Sequence, residues 1–158
     1  MNSIAKSLAD DAAKIAKSNQ EQAVAAWVNY LNQLRLDQLV TALRQQDLNR
    51  RDALASVHGA IDEIKKVVTS NRGGLKGMHG FIAEVAETGI GNARSQIQGG
   101  NRIYQWLDDN GPVDLLRAGT AIQQKFYAAG NSFGLGAITE HLRHYPDFIN
   151  SGHKYQIP

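Results

Sequence analysis

No proline interrupts residues 3–70, a stretch rich in Ala, Leu, Gln, Lys and Glu. Such a run commits nearly half of a 158-residue chain to helix, because strong breakers are what stops helix-forming sequence from continuing. Ser3 is placed to cap a first helix with an apolar stripe of Ile4, Leu8, Ala12, Ile15 and Ala16. The polar segment SNQEQ reads as a break, with Ser18 or Asn19 capping a second helix that carries Val24, Trp27, Val28, Leu31, Leu34, Leu39 and Leu43. Asp47 or Asn49 then starts a third, with Leu54, Val57, Ile61, Ile64 and Val68 as its apolar edge, ending at Gly73-Gly74. About three helices are therefore expected in this half. Their stripes keep heptad spacing only briefly, which argues against a long coiled coil and for packing, a protein partner or a homo-oligomer. Arg50-Arg51 and Lys65-Lys66 read as solvated charge.

The character of the chain changes at Asn71-Arg72-Gly73-Gly74, which sets an expected boundary between residues 1–72, a helical assembly region, and residues 73–158. The total length suits one domain with an appendage. A net charge of +2 is too weak to argue nucleic-acid binding by itself. The absence of cysteine excludes disulfides and thiolate metal sites and suits a reducing compartment. The first residues, MNSIAKSLADDAAKIAKSN, carry acids within their apolar pattern, unlike a secretory signal. No stretch approaches the ~20 apolar residues of a membrane span. A soluble, cytoplasmic protein without a membrane partner is the expectation.

The second half mixes elements. LKGMHGFIAEVAETGIGNARSQ predicts a helix with Met78, Phe81, Ile82 and Val85 as its stripe, Glu84 on the flank and Glu87 pointing away. Gly80 clears space one turn before Glu84, while Gly89 and Gly91 are expected to weaken the helix. RIYQWLDD reads as a strand, and Asp108-Asp109-Asn110-Gly111 as a turn. In GPVDLLRAGTAIQQKF, an Ala118-Gly119 turn would set Arg117 against Thr120, Leu115 against Ile122 and Asp114 against Gln123. Alternation then puts Lys125 on the face of Asp114 and Gln123. A turn at Gly130-Asn131-Ser132, a helix over 135–144 and a final strand in HKYQIP complete an α-β-β-β-α-β order and an α+β fold class.

A carboxylate, an amide and an ammonium on one sheet face, after a helix bearing Glu84, resembles the PD-(D/E)XK nuclease superfamily, with its restriction-endonuclease-like fold. The resemblance rests on HGFIAE, GPVDLL and IQQKF and covers about residues 75–158. It implies a Mg²⁺- or Mn²⁺-dependent nuclease acting on DNA or RNA, in settings such as mobile elements, phage or defence. Asp114, Gln123 and Glu84 would hold metal, and Lys125 would orient water or stabilise charge. Phosphodiester hydrolysis builds negative charge on phosphate oxygens, which a hard cation and a lysine both offset. Gln123 stands where the family has an acid, and Pro112 precedes Asp114 by two positions rather than one. The chain ends at Pro158, just after the last core strand, so a very compact or truncated member is expected. The alternative is a non-catalytic helical oligomerisation or adaptor protein whose α/β half binds nucleic acid or a protein. His141 and His144 read as a solvated pair rather than a metal site, His79 and Lys76 as surface groups, and Trp27 and Trp106 as core or interface residues.

Overall fold

The computed structural model describes residues 2–109, 111–125 and 136–157, leaving aside the side chains of Asn2, Leu75 and Lys76. Asn110, the Gly130-Asn131-Ser132 turn, Leu135 and the Lys76 side chain lie outside the described residues. The architecture is α+β, with helices α1 (Asn2–Thr69), α2 (Gly74–Ile97) and α3 (Gly136–His144) and strands β1 (Tyr104–Trp106), β2 (Leu115–Arg117), β3 (Thr120–Gln124) and β4 (Lys154–Gln156).

The three helices expected before Gly73 are one. Helix α1 runs through SNQEQ and through Asp47 and Asn49 without a break. Cap-forming residues permit a helix to start, but mid-helix they cost only about 0.5 kcal/mol each and do not stop it. The real stop is at residues 71–74, where Asn71, Gly73 and Gly74 take φ values of 48°, 73° and 61°. Left-handed backbone of this kind suits glycine and asparagine and ends the ladder, and here it starts α2.

The chain divides into two compact units, one ending at Gln45 and the other beginning at Gln46. In the first unit, every described side chain of α1 from Ser3 to Gln45 is exposed. The second unit contains the end of α1, the other two helices and the sheet. There α1 and α2 pack antiparallel through small and polar residues. Ala53 and Ser56 of α1 and Asn92 and Gln96 of α2 are buried. Ser56 Oγ hydrogen-bonds the Gln96 amide at 2.5 Å, and a methyl on Gly89 would overlap that of Ala60. Helix α2 nonetheless runs through Gly89 and Gly91 without a break. One lets α1 approach and the other makes room for the Tyr104 ring.

Asn92 fastens α2 to β1, its Oδ1 accepting from the Ile103 and Tyr104 N–H groups at 2.8 Å each and its Nδ2 donating to the Tyr104 carbonyl at 2.9 Å. The sheet has the order β1-β2-β3-β4. The first three strands are antiparallel and β4 is parallel to β3. The hairpin register is the expected one, Leu115 opposite Ile122 and Arg117 opposite Thr120. Ala118 (φ 49°) and Gly119 (φ 79°) form its turn, both left-handed as a two-residue hairpin of this twist requires. Leu115 and Ile122 are completely buried, with Val85 of α2 and Phe148 nearly so. Trp106 and Gln156 reach Glu84 and Glu87 from the sheet, so α2 covers one face, while His141 of α3 meets Tyr155 on the other. Glu87 accordingly does not point away. Its Oε1 accepts from Gln156 Nε2 at 3.1 Å, across the α2–β4 interface.

Candidate active site

Asp114 lies just before β2, its N–H donating to the Ile122 carbonyl at 2.9 Å. The Gln123 amide nitrogen donates to Asp114 Oδ2 at 2.5 Å, and the Gln124 backbone N–H donates to the same oxygen at 2.6 Å. Gln123 itself is buried. It thus serves as a neutral clamp on a carboxylate, where an acid would repel it. Lys125 follows directly on β3 and stays tied to β4 through its N–H, which donates to the Gln156 carbonyl at 3.0 Å. Asp114 and Gln123 are thus in direct contact, and Lys125 acts on Asp114 through its charge.

Glu84 joins them electrostatically. Burial and then the Asp114 charge push its pKa up to about 7, against relief from the Trp106 indole, Arg72 and Lys125. Burial also raises Asp114, opposed by the Gln124 N–H, Lys125 and Gln123. Burial lowers Lys125, and both carboxylates resist that change. Partly dehydrated acids beside a partly dehydrated lysine cost stability, which marks functional sites more often than scaffolding.

Two residues outside the expected set belong here. Trp106 Nε1 donates to Glu84 Oε2 at 3.1 Å. Arg72 lies over the rings of Phe81 and Trp106, 4.4 and 5.5 Å from their centroids, and pairs with Asp108. Sequence periodicity placed Trp106 in a strand and Arg72 in a boundary. Neither position announces a contact between the α1–α2 corner and β1.

The histidines separate. His141 Nδ1 lies 2.6 Å from the Tyr155 hydroxyl, next to Gln123 in the β3–β4 register. His144 pairs with Glu140 at 3.3 Å on the exposed side, and His79 is exposed. Among the described residues no group of three or more His, Cys, Asp or Glu side chains is placed to hold a metal. Glu84 is linked to Asp114 through its charge alone, and what these two and the Gln123 amide could offer a cation is oxygen. That suits Mg²⁺, which keeps several waters and takes one or two carboxylates together with substrate phosphate. Compared with protein-family models, curated proteins and solved structures, the chain matches none.

Proposed function

We propose that residues from Gln46 onward form a metal-dependent nuclease domain that hydrolyses phosphodiester bonds in DNA or RNA. The observation that carries this reading is the Gln123–Asp114 hydrogen bond, with the charges of Lys125 and of Glu84 on α2 coupled to Asp114. The element order α2-β1-β2-β3-α3-β4, with an antiparallel meander and a parallel fourth strand, is what a restriction-endonuclease-like core requires and supports the reading.

Asp114 and Glu84 would hold Mg²⁺ or Mn²⁺, with the Gln123 amide oxygen as a neutral third donor. When bound, the cation supplies positive charge against the phosphate oxygens and makes water a better nucleophile. Gln123 and the Gln124 N–H keep the Asp114 carboxylate oriented. Lys125, its ammonium destabilised by burial, adds positive charge where the pentavalent phosphorus accumulates negative charge. No helix among the described residues is long and apolar enough to cross a membrane. Roles in mobile elements, phage or defence rest on the resemblance alone.

Purified protein is expected to cleave single- or double-stranded DNA or RNA with Mg²⁺ or Mn²⁺. Asp114→Ala and Lys125→Ala should each lower the rate by roughly 10²–10³. Absence of cleavage on all four substrate types with both metals would sink the proposal.

The adaptor reading is favoured by a separate observation. Val24, Trp27, Leu31 and Leu34 are 62%, 60%, 36% and 41% exposed, an apolar load that calls for a partner. Self-association through this part of α1 predicts an oligomer by light scattering that Leu31→Glu dissociates. A monomeric wild-type chain at high concentration counts against it.

A further inference from the structure

The α1–α2 pair in the second unit is built inside out. Its contact uses Ala53, Ser56, Gly89, Asn92 and Gln96, while bulky apolar residues remain outside. Leu54 and Ile61 on α1 and Ile90 and Ile97 on α2 are 56%, 43%, 47% and 59% exposed. Each pair is seven residues apart, two helical turns, so each helix stacks its pair on one side. Between the helices lies an apolar groove with Val57 in its lining and Arg50 and Arg94 beside it.

The arginines identify the occupant. Arg51 pairs with Asp47 at 2.8 Å, but Arg50 and Arg94 have no ion pair among the described residues, and no acidic side chain lines the groove. A trough between antiparallel helices with apolar residues at seven-residue spacing accepts a third helix as a bundle does. A second copy docking by the same face would bring four arginines and no acid into one interface, since a two-fold interface repeats each surface. We infer that this groove docks an amphipathic helix of a partner protein carrying acidic residues beside its apolar stripe. The inference is independent of the nuclease reading.

The test uses the full chain and two fluorescent helical peptides with the same apolar i, i+3, i+4, i+7 face, one flanked by Glu and the other by Lys. Fluorescence anisotropy should show the Glu peptide binding at least tenfold more tightly, with an affinity that falls as salt rises. Leu54→Glu and Ile97→Glu should each weaken it at least tenfold, and the Arg50→Glu, Arg94→Glu double variant should reverse the preference. These positions are exposed, so circular dichroism should be unchanged, and Ile90→Lys repeats the test if Ile97→Glu unfolds. Equal binding of the two peptides, no binding, or indifference to the variants overturns the inference. So does a concentration-dependent dimer in sedimentation that Leu54→Glu abolishes, which would assign the groove to a second copy.

Discussion

Glu84 is a carboxylate that folding partly dehydrates. Its unfolded pKa is near 4.5 and its native one about 7, so the folded protein holds a proton that the unfolded chain has released in between. The stability linked to that proton is fully present below pH 4.5 and is lost as pH rises through about 7. Thermal melts should therefore show wild type losing stability relative to Glu84→Gln between pH 5 and 8, by about 1–2 kcal/mol after solvent screening. A constant difference across that range would mean that Glu84 is ionised throughout. The location of Glu84 on a helix flank was legible from 100° periodicity. Its dehydration was not, because Trp106 and Asp114 reach it only through packing of the sheet.

At the scale of elements, the hairpin and helix α1 show opposite fates of local reasoning. The β2–β3 register follows from Ala118-Gly119 and from alternation, both properties of adjacent residues, and so it could be read directly. The breaks expected in α1 rested on caps, which act only when some other element needs the chain to turn. Glycines misled in a similar way: Gly89 reads as a helix weakener yet sits where α1 comes closest. Gly89→Ala improves helix propensity by about 1 kcal/mol, but its methyl meets Ala60. Net destabilisation of about 1–3 kcal/mol is expected from the overpacking, measured by urea denaturation. A stabilised variant would show that the two helices are free to separate.

For the whole molecule, the second unit has its own buried core in Val85, Leu115, Ile122 and Phe148, whereas every described side chain of α1 from Ser3 to Gln45 is exposed. A chain beginning at Gln46 should thus melt cooperatively within about 4 °C of the full-length protein. Loss of that transition would mean that the first unit is needed to complete the fold. Burial of an amphipathic face supplies most helical stability in proteins, and the exposed apolar residues of this segment are what the proposed self-association would bury.

What the sequence determined by itself is what depends on near neighbours: the helical first half, the α-β-β-β-α-β order of the second, the turn, and the register that sets Leu115 opposite Ile122. These follow from periodicity, turn chemistry and the pleat, which act over a few residues. Only the tertiary structure decided that α1 is continuous, that Glu87 meets Gln156, and that Trp106 and Arg72 join Glu84. It alone made Gln123 a hydrogen-bond donor to Asp114. Those outcomes depend on dehydration and on contacts between residues tens of positions apart, for which no local pattern in the chain carries a signal.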